Sequence, residues 1–75
     1  MKDEEIRQAA LNLLKVRGGT MEFYDLTAWL LVRTGSHFFT AKRVLERMEK
    51  SGEIACEEKT PEEGSRARTI VRLIT

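Results

Sequence analysis

One cysteine, one histidine and one proline stand in a chain of 75 residues. The single thiol, Cys56, excludes a disulfide framework, and Cys56 with His37 cannot supply the ligands of a Cys/His zinc site. A domain this small has neither of the usual covalent or metal staples, so it must rest on apolar packing, and its stability is expected to be marginal unless it pairs with something. No apolar run approaches the roughly 20 residues of a membrane helix. The opening Met1-Lys2-Asp3-Glu4-Glu5 lacks the basic-then-apolar order of a secretion signal, and with a lone thiol this predicts a cytoplasmic setting. Charge of one sign is not in surplus either: 13 Lys+Arg face 12 Asp+Glu, for a net +1. Total charge therefore selects neither nucleic acid nor any other partner, and only its distribution informs. A Gly-rich phosphate loop, paired carboxylates in a pocket and a nucleophile–base pair are all missing, which argues against an enzyme and against a cofactor or metal.

What is present reads as one α+β domain over residues 1–75. Ile6, Ala9, Ala10, Leu13, Leu14 and Arg17 follow the helical period and predict a first helix over about 3–17, capped by Asp3 and closed by Gly18-Gly19. Thr20-Met21-Glu22 is long enough only for an edge strand. A second, unusually apolar helix is expected over about 23–34, with Phe23, Leu26, Trp29 and Leu30 inward and Leu31 and Val32 leaving little solvated face. Thr34-Gly35-Ser36-His37 breaks it, and Ser36 or Thr40 is expected to cap a third helix over about 38–51. There Ala41, Val44, Leu45 and Met48 share one face. The period then changes to alternation, predicting strands over about 53–58 and 66–74 around a loop of about seven residues that holds Pro61 and Gly64. Cys56 shares the parity of Ile54 and reads as a small core residue, and His37 as a turn residue.

Helix, short strand, helix, turn, helix and hairpin is an order that resembles the winged-helix superfamily. The stretch Thr40-Ala41-Lys42-Arg43-Val44-Leu45-Glu46-Arg47-Met48-Glu49-Lys50-Ser51-Gly52-Glu53-Ile54 is similar to the third helix and first wing strand of small prokaryotic regulators of that type. Leu45 and Met48 would dock the helix, Gly52 would permit the abrupt turn, and Ile54 would bring the wing over the core. Phe23-Tyr24-Asp25-Leu26-Thr27 with Lys42-Arg43-Val44-Leu45 also resembles the small D-protein family of dissimilatory sulfite reduction, winged-helix partners of a larger enzyme. The small enterobacterial fimbrial regulators share the same architecture. One departure stands out: where such domains are small and polar before the third helix, this chain has His37-Phe38-Phe39. Adjacent helical positions cannot both face the core, so one ring is expected to be buried and the other exposed.

The resemblance implies binding to double-stranded DNA, with the third helix in the major groove and the hairpin on the backbone. Thr40, Lys42, Arg43 and Glu46 would face the base edges, Arg47 and Lys50 the phosphates, and Arg66 and Arg68 would extend the contact along the hairpin. Charges on a solvent-facing helix are ordinary, however, and Glu57, Glu58, Glu62 and Glu63 on the hairpin oppose a phosphate contact. A pI near 7.9 is also below that of most duplex readers. The alternative is a protein-binding or allosteric accessory subunit, for which Phe38 and Phe39 are the candidate anchors. Self-association is a third expectation, through Leu31, Val32, Phe38 or Phe39, or Ile70 with Ile74.

Overall fold

The computed structural model describes residues 2–59 and 68–74. Its elements are α1 (Lys2–Val16), β1 (Thr20–Glu22), α2 (Phe23–Thr34), α3 (Phe38–Lys50), β2 (Ile54–Lys59) and β3 (Arg68–Leu73). Three helices thus pack with a three-stranded antiparallel sheet of order β1-β3-β2, an α+β fold. Among the described residues no helix is long and apolar enough to cross a membrane.

Apolar period builds the helical layer. Ile6, Ala10, Leu13 and Leu14 of α1 are buried against Leu26 and Leu30 of α2 and Ala41, Val44, Leu45 and Met48 of α3. Ile54 and Val71 close this core from the sheet. Met21 pairs with Val71, and Val71 with Cys56, so β3 lies between the other two strands and buries its middle residue. Ile54, Cys56, Val71 and Leu73 share the inward face by alternation, leaving Ala55, Glu57, Ile70 and Arg72 outward.

Two helix ends are closed in the same way. Gly18 donates to the Lys15 carbonyl at 3.3 Å and Gly19 to the Leu14 carbonyl at 2.7 Å. At the end of α3, Gly52 donates to the Glu49 carbonyl at 3.1 Å and Glu53 to the Met48 carbonyl at 3.0 Å. Both are Schellman turns, and the left-handed φ of 82° at Gly18 and 84° at Gly52 is the conformation glycine adopts without strain. The last residue of each turn then accepts from the end of the sheet. The Leu73 amide donates to the Gly19 carbonyl at 2.7 Å and the Ile74 amide to the Glu53 carbonyl at 3.1 Å.

Several expectations need correction. α1 begins at Lys2, so Asp3 lies inside the first turn and favours the helix through its dipole rather than as a cap. Arg17 follows the helix, exposed, as the hinge residue of the Schellman turn. Neither Ser36 nor Thr40 caps α3: the N-cap is His37, which makes no side-chain cap bond, while the Ser36 hydroxyl bonds that of Thr34. Glu53 precedes β2 because it belongs to the turn. Trp29, read as core, is 38% exposed, with the Arg33 guanidinium 5.7 Å over its ring. Its inward place is taken by Thr27, buried because its hydroxyl donates to the Phe23 and Tyr24 carbonyls, each at 3.0 Å. The expected hairpin loop with Pro61 and Gly64 lies largely outside the described residues.

Candidate nucleic-acid interface

α3 carries most of the residues expected to meet DNA. Its buried residues, Ala41, Val44, Leu45 and Met48, hold one side of the helix on the core, so Lys42, Arg43, Glu46, Arg47 and Lys50 are all exposed. Thr40 is half-buried and the least open of the set. Helical spacing places Phe39, Arg43, Glu46 and Lys50 on one outward stripe, each three or four residues from the next.

Surroundings divide these side chains into three groups. Arg47 leans toward α1, its Nη1 lying 3.4 Å from Oδ2 of the half-buried Asp3, while most of its own side chain stays in solvent. Lys42 and Glu46 turn toward the hairpin and, with Glu49, edge a groove of about 370 Å³ whose far side is Cys56 and Thr69. Arg43 and Lys50 face outward, and among the described residues neither they nor Lys42 makes an ion pair. On the sheet, Arg68 is exposed opposite Lys59, and Arg72 is held by Glu57 at 3.1 Å. Arg66 lies outside the described residues, as do Glu62 and Glu63.

One buttressing ion pair lies away from this helix face. Arg7 Nε donates to Glu53 Oε1 at 2.9 Å and Oε2 at 3.0 Å, its Nη2 donates to Oε1 at 2.6 Å, and its Nη1 reaches Glu4 at 2.9 Å. The Glu53 carboxylate accordingly raises the Arg7 pKa above its ordinary value. This fork ties α1 to the turn after α3 and leaves neither group for a ligand.

Cys56 is half-buried beside the groove. Burial first, and the Glu49 carboxylate second, push its thiol up to about 11. It is therefore the protonated thiol near neutral pH, not the thiolate that attacks electrophiles or binds metals. Among the described residues no group of three or more His, Cys, Asp and Glu is placed to hold a metal ion.

Sequence reasoning missed the aromatic surroundings of the groove. Phe39 is 78% exposed, as expected of one of the adjacent rings, but Phe38 is only half-buried, because it packs on Phe23, Tyr24 and Phe39 rather than on the core. Tyr24 from α2, not singled out by its spacing, is 66% exposed and stacks on Phe38. Phe23 meets both rings edge-on. The available signal was the pairing of Phe23-Tyr24 at the start of one helix with Phe38-Phe39 at the start of the next. Of the other apolar candidates for contact, Val32 and Ile74 are exposed, and Leu31 and Ile70 half-buried. No family model, curated protein or solved structure matches this chain.

Proposed function

We propose that the protein is a winged-helix transcriptional regulator that binds double-stranded DNA, with α3 in the major groove and the β2–β3 hairpin as its wing. One observation carries the reading. Arg7 and Arg72 are held by carboxylates, whereas Arg43 and Lys50 share an outward stripe of α3 with no ion pair among the described residues. Arg43, nearer the helix start, reads a guanine edge, and Lys50 neutralises phosphate. Arg47 and Arg68 add to the electrostatic contact, and Glu46 on the same stripe disfavours bases without an amine to donate. The architecture supports this arrangement because the core fixes α3 on one side and leaves its opposite side open.

Titration of duplex binding against salt tests the proposal. Each neutralised phosphate contributes about 0.9 to the logarithmic salt slope, so Arg47, Lys50 and Arg68 predict a slope of about −3. Absence of duplex binding at low salt sinks it. A second reading, an accessory subunit docking on a larger protein, is favoured by the exposed Phe39. Copurification with an enzyme subunit, lost on Phe39→Ser, would select that reading.

A further inference from the structure

All three phenylalanines and the only tyrosine of the chain meet where α2 and α3 begin. Tyr24 and Phe38 lie with ring planes 10° apart and centroids 6.3 Å apart, and Phe39 stands edge-on to Phe38 at 5.7 Å. Rings recruited only for packing would be covered, yet Tyr24 and Phe39 are the exposed members. Each packs on Phe38 and stands on a helix start, so little ordering is left for a ligand to impose.

Each ring at the start of α3 has a cation one turn further on. Lys42 follows Phe38 by four residues, and Arg43 follows Phe39 by four, about 6 Å along the helix axis. Behind Lys42, the groove turns acidic with Glu46 and Glu49. A nucleotide whose base is unpaired has three parts that answer to this arrangement. Its ring stacks on an aromatic face, its phosphate meets a cation, and its exocyclic amine donates to a carboxylate. A fully paired duplex offers none of its base faces, because they are already stacked in the helix, and its phosphates gain nothing from Glu46 and Glu49. Charge complementarity to an exposed base amine therefore gives Glu46 and Glu49 a role at this face.

Resting on the DNA-binding reading, we propose that the preferred substrate of this face is DNA containing unpaired bases, a single strand or an opened duplex. The Tyr24–Phe38–Phe39 shelf stacks the bases, and Lys42 and Arg43 hold the adjoining phosphates. The test compares one labelled duplex, the same duplex with a central unpaired bubble, and its single strand, at one salt concentration. The expected result is binding of the bubble and single strand about tenfold or more above the paired duplex. Tyr24→Ser with Phe39→Ser should erase that preference while leaving paired-duplex affinity nearly unchanged. Should the double variant not fold, Phe39→Ser alone, at a largely solvated position, should reduce the preference. Equal affinity for all three DNAs, or a preference that survives the serine substitutions, overturns the shelf but leaves duplex binding standing. No affinity for DNA of any form overturns both.

Discussion

The two ends of α3 are built on opposite terms. At its C-terminal end the Gly52 turn, the Arg7–Glu53 fork and the Ile74 amide give the turn's backbone and the Glu53 carboxylate protein partners. The matching turn at Gly19 does the same for α1, so the end of β3 is clasped from two sides. At the N-terminal end His37 caps nothing with its side chain, Phe39 and Tyr24 stand in solvent, and Lys42 and Arg43 make no ion pair among the described residues. Stability is concentrated at the clasp and openness at the shelf. That separation lets a small domain present unsatisfied groups to a ligand without leaving them beneath its core.

Breaking the clasp should produce the largest effect. Leu14 is fully buried and its carbonyl anchors the first Schellman turn. Leu14→Ala should cost about 2–5 kcal/mol, read from the denaturant midpoint, because the cavity adds to the lost transfer energy. In a chain of 75 residues this approaches the whole stability. An equal effect from an exposed residue at the shelf would remove the distinction between the two ends.

Arg43→Ala tests the open side. With no ion pair among the described residues, its loss should change stability by no more than about 0.5 kcal/mol. Under the proposed function it should weaken specific DNA binding by about 1–3 kcal/mol, measured by fluorescence anisotropy. A stability loss larger than the binding loss would mean that Arg43 belongs to the structure.

These contrasts also mark what could be read in advance. The helices were legible because Ile6, Ala10, Leu13 and Leu14, and then Ala41, Val44, Leu45 and Met48, repeat at the helical period. Gly18 and Gly52 announced the turns, and the alternation from Ile54 announced the sheet. Trp29 was placed inward and Thr27 passed over because hydropathy cannot see that a threonine hydroxyl, bonded back to its own helix, is inexpensive to bury. Of the site, the exposure of Lys42, Arg43 and Lys50 followed from the period. The shelf did not, since Tyr24 and Phe38 are brought together only by the packing of two helix starts. Cations on α3 and carboxylates on the hairpin were equally visible in the chain. Which of them face one another is a tertiary fact.

Installing a cap at the open end should sharpen the comparison. His37 already has the extended backbone of an N-cap, φ −87° and ψ 155°, but no side-chain bond to the free amides. His37→Asp should supply one and add about 0.5–1 kcal/mol, seen as a higher thermal midpoint. The added negative charge at the start of the proposed DNA-facing helix should at the same time reduce DNA affinity. A gain in stability with a loss in binding would show the uncapped start of α3 to be a functional compromise.

A further contrast comes from Cys56, on β2 and at the groove. Its folded-state thiol is pushed up to about 11, above the ordinary value of 9.0, chiefly by burial. The folded state therefore favours the neutral thiol more strongly than the unfolded chain does. The sign follows: the stabilisation is fully present below pH 9, because both states then hold the proton, and it is lost as pH rises through about 11. The informative quantity is the difference between wild type and Cys56→Ala, in which contributions common to both proteins cancel. Wild type should lose stability more steeply than the variant between pH 9 and 11, by chemical denaturation at each pH. Parallel curves would mean that the thiol ionises as readily folded as unfolded, and that the groove wall at Cys56 is as wet as the shelf.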